Sequence, residues 1–106
     1  MPKAKNNGYA QVDNNILEAL SRYKLTSYEL RIVLAIIRKT LGWHKDSDII
    51  SHSQLRQLTG IDERNIVRTI KKLTEKNILE KQVLHQYKVS YSLLPVSKWL
   101  CTYRHN

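Results

Sequence analysis

The sequence predicts a mainly helical α+β domain, a winged helix-turn-helix with about four helices and a small antiparallel sheet. Only three Gly and two Pro occur among 106 residues, which favours long helices joined by short turns. Helix-start signals recur along the chain. Two helical segments joined by a short turn at Gly60 precede two strand-like segments, which is the order of a helix-turn-helix followed by a hairpin.

The first two helices have recognisable starts. The first is predicted over about residues 13–23, with Asp13 or Asn14 capping it through a side-chain oxygen. Thr26 and Glu29 have the spacing of a capping box and open the second helix. Apolar residues on two adjoining edges make the second helix the most buried in this prediction: Leu30, Ile32, Val33, Leu34, Ile36, Ile37 and Leu41.

Two glycines are predicted to end helices. Gly42 ends the second helix, and a short strand follows at residues 48–50. Ser51 and Gln54 form a second capping box, which opens a third helix that ends at Gly60, because glycine adopts positive φ without strain. Two leucines of this third helix are expected to face inward: Leu55 and Leu58.

A hairpin and a final turn complete the predicted fold. Residues 79–84 and 88–94 are rich in Val, Leu, Tyr and Ser and are predicted to be strands. Residues 95–100 are predicted to form a helical turn. Through Trp99 and Leu100 this turn is expected to fold back on the core.

Length and charge restrict the classes of function. The chain is predicted to form one domain over residues 10–101, with a flexible arm at 1–9 and a loose tail at 102–106. Its 18 Lys and Arg against 9 Asp and Glu give a formal charge of +9, with most of the excess in residues 53–106. Such an excess suits nucleic acid first and an anionic membrane surface second. A basic protein whose charge has no specific role is the alternative.

Catalytic and metal chemistry find no support in the sequence. The single cysteine, Cys101, allows no internal disulfide, and no segment suits a membrane span or a secretory signal. The four histidines lack metal-ligand spacing, and Asp46 with Asp48 is better explained as a surface turn. We therefore expect a protein that is not an enzyme, with no metal or cofactor, in a reducing compartment such as the cytoplasm.

The fourth helix carries the strongest functional signal. Asp62 caps it, and it is predicted over residues 63–76, with its inward face set by three apolar residues at helical spacing: Ile66, Ile70 and Leu73. Arg68 then points away from the core, and four further polar side chains flank it: Arg64, Asn65, Lys71 and Lys72. Arg can pair with guanine, Asn with adenine and Lys with phosphate, so this face suits a DNA major groove. A solvated face with ion pairs to Glu75 is the alternative.

Neighbouring features extend this predicted interface. Glu63 is expected to favour the dipole of the fourth helix, with acceptance of a hydrogen bond from cytosine N4 as the alternative. Backbone N–H groups near His52, Ser53 and Gln54 can hold a phosphate in addition to the capping role of that segment. The hairpin of residues 79–94 is the predicted wing, and its side chains suit a minor groove or the flanking backbone: Lys81, Gln86, Tyr87 and Lys88. An ordinary exposed turn is the alternative.

The most specific motif is the run Ala-Ile-Ile-Arg-Lys-Thr at residues 35–40, followed by Gly42 and Trp43. The Leu-Thr-Gly turn at residues 58–60 is generic to many winged helices. Together with neighbouring segments across residues 10–79, these motifs resemble the N-terminal domain of the bacteriophage replication protein O family, the origin-binding initiators of lambda-like phages.

The resemblance implies a winged-helix domain that binds repeats at a phage replication origin, as a homodimer or as several copies, associated with the nucleoid of the bacterial host. The matching recognition positions are Arg64 and Arg68, with Asn65 and Thr69 beside them. Family members continue into a second segment that contacts the replicative helicase or its loader, whereas this chain ends at Asn106. The chain is therefore expected to be an excised DNA-binding domain or a short product that keeps DNA binding alone.

Three hypotheses about function result. The leading hypothesis is sequence-specific binding of double-stranded DNA at a replication origin. A small winged-helix transcription regulator is the alternative within DNA binding. The alternative of another class is a protein-interaction module that uses the wing or an aromatic patch: Tyr87, Tyr91 and Trp99.

Overall fold

The computed structural model describes residues 8–86 and 88–100, so most of the predicted arm and the whole predicted tail lie outside the described residues. The helices are α1 (Asn14–Arg22), α2 (Ser27–Lys39), α3 (His52–Thr59) and α4 (Glu63–Glu75). The strands are β1 (Ser47–Ile49), β2 (Leu79–His85) and β3 (Lys88–Leu93). Short 3-10 turns span Leu41–Trp43 and Val96–Lys98.

The three strands form one antiparallel sheet in the order β1-β3-β2. In the central strand β3, Tyr91 pairs with Asp48 of β1 and with Lys81 of β2. The sheet and the four helices confirm the predicted α+β class, although β1 begins one residue earlier than expected. The connectivity from α3 through α4 to β2 and β3 is that of a helix-turn-helix followed by a hairpin.

The core lies between α2, α4 and the sheet. Nearly all of its largest members are branched aliphatic side chains with 3% exposure or less, together with one tyrosine: Ile32, Val33, Ile36, Ile66, Ile70, Leu73, Ile78, Leu79 and Tyr91. The inward stripe predicted for α4 is confirmed. Helix α2 contributes more buried residues than any other described helix, which confirms its predicted place at the centre of the fold.

The C-terminal turn closes the core beside α1. Trp99 is 7% exposed, meets the Tyr23 ring edge-on with centroids 5.9 Å apart, and donates from Nε1 to the Leu94 carbonyl at 2.8 Å. The folding back of Trp99 is therefore confirmed. The expected burial of Leu100 is wrong, since this side chain is 66% exposed. Its backbone N–H donates to the Lys76 carbonyl at 2.7 Å, which holds the chain here without burying the side chain.

Capping signals predicted the starts of α2, α3 and α4 correctly, whereas the side-chain cap expected for α1 does not form. In both predicted capping boxes the third helical N–H donates to the cap hydroxyl at 3.1 Å: Glu29 to Thr26 and Gln54 to Ser51. Asp13, in contrast, makes no side-chain capping bond to α1. Its backbone carbonyl instead accepts from the N–H groups at the start of that helix, so α1 begins without a side-chain cap.

The end of α2 also differs from prediction, because Gly42 does not terminate it. The helix ends at Lys39, and the Thr40 hydroxyl donates to the Ile36 carbonyl at 2.8 Å. Gly42 lies within the following 3-10 turn, and the positive φ of 58° falls on His44. A polar side chain and a tighter turn thus take the place of the expected glycine stop.

One leucine expected inside lies at the surface. Leu58 is 47% exposed, whereas Leu55 is fully buried. Helix α3 has only about two turns and buries the single side chain of Leu55. Leu58 instead borders an open cleft with Leu34 and Ala35 of α2, so its inward assignment is wrong.

A buried ion pair joins the start of α2 to the end of α4. The Glu29 carboxylate, 1% exposed, lies 2.8 and 3.0 Å from Nζ of Lys76 and accepts from the Thr26 N–H at 2.8 Å. Burial by itself would raise the pKa of Glu29, but the hydrogen bonds from Lys76 and Thr26 outweigh it and hold that pKa below its usual value. One carboxylate therefore both caps α2 and fixes the end of α4.

Glu29→Gln is expected to lower the free energy of unfolding by about 1–3 kcal/mol near neutral pH, because charged hydrogen bonds are lost. Since the folded pKa is lowered, this stabilisation is present above the unfolded value near 4.5 and is lost as the pH falls through the folded pKa. Urea unfolding between about pH 3 and pH 7 measures the effect.

Glu18→Gln, which removes an exposed carboxylate from α1, is the control and should unfold like the parent. If the difference between Glu29→Gln and the parent stayed constant across the acidic range, the ion pair would not be the source of the stabilisation.

Candidate nucleic-acid interface

A tight turn positions α4 against α3. Gly60 has a φ of 74°, and its N–H donates to the Arg56 carbonyl at 2.8 Å, which confirms its predicted role. Ile61, 2% exposed, then anchors the turn in the core. Asp62 caps α4 immediately afterwards, so the direction of α4 is set by the three residues of this turn.

The cap of α4 engages a predicted base-reading residue. The Asp62 carboxylate accepts from the Asn65 backbone N–H at 3.4 Å and from its side-chain amide at 2.7 Å. The hydrogen bond from the Asn65 side chain, assisted by the backbone bond and the charge of Arg64, holds the pKa of Asp62 below its usual value. One of the two Asn65 amide hydrogens is therefore already in use within the helix.

Helix α4 has one buried and one exposed face. The buried face consists of Ile66, Thr69, Ile70 and Leu73. The exposed residues of α4 are the carboxylates at its two ends, Glu63 and Glu75, and between them Arg64, Val67, Arg68, Lys71 and Lys72. Thr69 is 6% exposed because it lies three positions after Ile66 and beside Ile70, within the inward sector of the helix. The prediction that Thr69 is a recognition position is therefore wrong. Arg68, in contrast, is exposed as its helical position predicts.

Val67 is an exposed apolar residue on this face that sequence reasoning missed. It is 49% exposed, three positions after Arg64 and four before Lys71, so it lies between the two cations. An apolar side chain in this position can contact the methyl group of thymine. Its exposure could have been predicted from the sequence, because Val67 lies outside the apolar stripe of Ile66, Ile70 and Leu73 on the same helix.

Glu63 links the start of α4 to α3. Its Oε2 lies 2.6 Å from Nδ1 of His52, and its Oε1 lies 3.9 Å from Nε of Arg56. Glu63 does lie in the first turn of α4, where a carboxylate favours the dipole. The two partners were missed because they become neighbours only through the turn at Gly60. They offset the negative charge of Glu63 next to the cationic face.

The N-terminus of α3 is partly occupied by its own cap. The Gln54 N–H donates to the Ser51 hydroxyl, and the Gln54 side-chain oxygen accepts from the Ser51 N–H at 2.9 Å. The backbone N–H of Gln54 is therefore not available for a phosphate. The N–H groups of His52 and Ser53 have no acceptor within the helix. Of the N–H groups predicted to hold a phosphate, these two remain.

Basic side chains of three elements meet beside α4. His52 of α3, Lys71 of α4 and Lys81 of β2 line one open cleft of about 250 Å³, with Val67 and Thr74 between them. Lys81 was predicted as part of the wing, and Lys71 as part of the helical face. In the structure both lysines line the same cleft.

The wing presents polar and apolar side chains together. Gln86 and Lys88 are exposed, and Tyr87 lies outside the described residues. Val83 is 64% and Leu84 52% exposed on the edge strand β2. The strand-like pattern of the sequence did not reveal these two exposed apolar residues, because it does not show which strand forms an edge.

The aromatic patch suggested for a protein partner does not form at the surface. Tyr91 is fully buried and Trp99 is 7% exposed. The Tyr91 hydroxyl is also buried, without a hydrogen-bond partner among the described residues, and burial raises its pKa. The prediction that Tyr91 and Trp99 form an exposed patch for a protein partner is therefore wrong, while Tyr87 lies outside the described residues.

No helix within residues 8–86 and 88–100 is long and apolar enough to cross a membrane. In the same part of the chain, no three His, Cys, Asp or Glu side chains come together in a way that could hold a metal ion.

The fold and the site define a small α+β protein with a helix-turn-helix whose second helix exposes several cations. The family described as Bacteriophage replication protein O matches this chain over residues 3–99. The chain belongs to this family, as its motifs suggested. No solved structure matches it, so the winged-helix description depends on the connectivity of α3, α4, β2 and β3.

Relatives in three phages are similar to this chain. Replication protein O of Escherichia phage lambda is 39% identical over 75 residues, 71% of this chain and 22% of that protein. Replication protein 15 of Enterobacteria phage phi80 is 29% identical over 94 residues, 89% of this chain and 31% of that protein. DNA replication protein gp18 of Salmonella phage P22 is 43% identical over 54 residues, 51% of this chain and 20% of that protein. The matched region is thus less than a third of each relative.

Asp62→Ala is expected to lower the midpoint of urea unfolding, because α4 loses the oxygen that caps its first turn. Asp62→Asn should stay close to the parent, since Asn caps helices about as well as Asp. Urea unfolding compares the two variants with Glu80→Ala, an exposed carboxylate on β2. Equal stability of Asp62→Ala and Asp62→Asn would show that the cap does not hold the start of α4.

Proposed function

We propose that this chain binds double-stranded DNA sequence-specifically through the exposed face of α4. The observation that carries the proposal is the position of Arg68, exposed on a helix whose opposite side is buried. None of the ion pairs among the described residues involves Arg68, Lys71 or Glu75. The alternative of a solvated face expects pairing with Glu75, so the uncompensated cations favour an anionic partner.

The chemistry of each side chain suggests a division of roles. Arg64 and Arg68 can each donate two hydrogen bonds to guanine O6 and N7, and Val67 can contact a thymine methyl. Lys71 and Lys72, one turn further along, are suited to phosphates. Helix α4 has 13 residues, which at 1.5 Å per residue gives a rod about 20 Å long that a major groove can admit.

Contacts beside the helix would fix the orientation of the duplex. The cleft of His52, Lys71 and Lys81 suits a backbone phosphate, as do the free N–H groups at the start of α3. Lys88 and Gln86 of the wing are suited to the flanking backbone or minor groove. These contacts carry no base information themselves but hold α4 in register.

The target of this binding is, in our proposal, an origin of phage DNA replication. The family match covers residues 3–99, and the relatives from lambda, phi80 and P22 are named as replication proteins. Repeated sites would be bound by several copies or by a homodimer. Contacts with a replicative helicase or its loader would belong to a longer parent chain. In this role the domain binds DNA inside the bacterial host and is not an enzyme.

Arg68→Ala is expected to weaken binding to the specific site by about 1–3 kcal/mol and to relax base preference at one position. The site is first obtained by selecting bound duplexes from a random pool at moderate salt. Competition with duplexes that differ by a single base pair then locates the relaxed position. Unchanged affinity, or a loss without any relaxed position, would contradict base reading by Arg68.

Lys72→Ala is expected to weaken binding to all duplexes alike and to reduce the slope of log K against log salt by about 1, because one phosphate contact is lost. Fluorescence anisotropy over a range of salt concentrations measures the slope. Lys24→Ala, an exposed cation between α1 and α2, is the matched control and should leave the slope unchanged. Equal slopes for Lys72→Ala and Lys24→Ala would show that Lys72 makes no phosphate contact.

A further inference from the structure

Trp43 is unusually exposed. Its side chain is 59% exposed, whereas tryptophan is on average highly buried in folded proteins, as Trp99 is here at 7%. Trp43 lies in the 3-10 turn that follows α2, and it belongs to none of the elements proposed to bind the duplex. Neither the core nor the exposed face of α4 explains this exposed indole.

The backbone around Trp43 is held by a compact set of hydrogen bonds. The Thr40 carbonyl accepts from the N–H of Trp43 at 3.0 Å and from that of Lys45 at 2.9 Å, and the Leu41 carbonyl accepts from the His44 N–H at 3.1 Å. The guanidinium of Arg38 lies over the indole, 5.8 Å from the ring centroid. The backbone that carries the ring is therefore held in place, and much of the ring's surface is open.

Trp43 borders an open cavity of about 350 Å³ with aromatic and cationic walls. Four of its side chains can serve a ligand, and we call them the aromatic pocket: Tyr9, Arg38, Trp43 and His44. Tyr9 is 76% exposed. No lining residue is acidic, and none comes from α3, α4 or the wing, so the pocket is separate from the duplex-binding face.

The charge near the aromatic pocket favours an anionic ligand. Arg38 supplies a positive charge to the wall of the pocket, and no carboxylate among the described residues lines it. Asp13 and Asp46 are the acidic residues nearest to the pocket in the chain, but neither lines it, and Asp48 lies 3.6 Å from Nζ of Lys45. A ligand with an aromatic ring next to a negative charge matches these walls.

We propose that the aromatic pocket binds an unpaired base of single-stranded nucleic acid together with its phosphate. Aromatic side chains stack on any base, and neighbouring cations hold the backbone, which is how single strands are bound without sequence preference. In a duplex the bases stack on one another, so the pocket requires an open strand. One chain would thus contact a duplex through α4 and an open strand through the aromatic pocket.

Intrinsic fluorescence tests this directly, because the chain has two tryptophans and only Trp43 is exposed. Titration with oligothymidylate of about 12 nucleotides at low salt is expected to quench the emission to a plateau, and the matching oligouridylate shows whether RNA binds as well. The same oligothymidylate annealed to its complement should quench much less. Absence of saturable quenching by both single strands would overturn the proposal.

Variants then assign the binding to the pocket. With fluorescein-labelled oligothymidylate, Trp43→Ala should weaken binding roughly tenfold or more, and Trp43→Phe should retain most of it, because stacking requires only an aromatic ring. Tyr28→Ala is the matched control, since Tyr28 is exposed on α2 and also has an arginine, Arg31, 5.6 Å from its ring centroid. Equal affinity of Trp43→Ala and Tyr28→Ala would overturn the assignment.

A comparison with Arg68→Ala separates this site from the proposed duplex site. Arg68→Ala should bind the single strand like the parent while losing affinity for its selected duplex. An equal loss for both ligands would place the strand on α4 and contradict the aromatic pocket. Quenching by single strands in a chain that failed to bind duplex would support the pocket by itself.

Discussion

The rotation of α4 about its own axis is the constraint on which the rest of the site depends. Ile66, Ile70 and Leu73 can all be buried only if the helix turns one face to the core. Burial of each such side chain is worth about 1.5–3 kcal/mol, more than the 0–1 kcal/mol typical of an exposed ion pair. Packing rather than charge therefore decides that Arg68 is exposed, and the cationic face is a consequence of hydrophobic burial.

Polar contacts fix both ends of this helix. At its start, Asp62 caps the first turn, and the Glu63–His52 pair joins α4 to α3 across the turn at Gly60. Past its last turn, Lys76 reaches the buried carboxylate of Glu29. A helix held at both ends loses little conformational freedom when it docks, and preorganisation of this kind favours affinity.

Most signals that are local in the chain were predictable from the sequence, although the cap of Asp13 and the helix stop at Gly42 were not. The two capping boxes, Gly60 and the apolar stripe of α4 each depend on residues within one or two turns, and all are present in the structure. Thr69 shows a different cause of error. It was included through the family resemblance, although its helical position places it inward, so the geometry of the helix was the better guide.

Contacts between distant residues could not be predicted. The Glu63–His52 pair, the exposure of Leu58 and the meeting of Lys71 with Lys81 all depend on how helices and strands pack, which one sequence does not specify.

The most direct test of the exposed α4 face is NMR titration with the selected duplex. We expect the largest chemical-shift changes at the Arg64 and Arg68 side chains and in the first turn of α3, with α1 unchanged. Shifts confined to α1 or to the turn at Trp43, with α4 unaffected, would contradict this expectation.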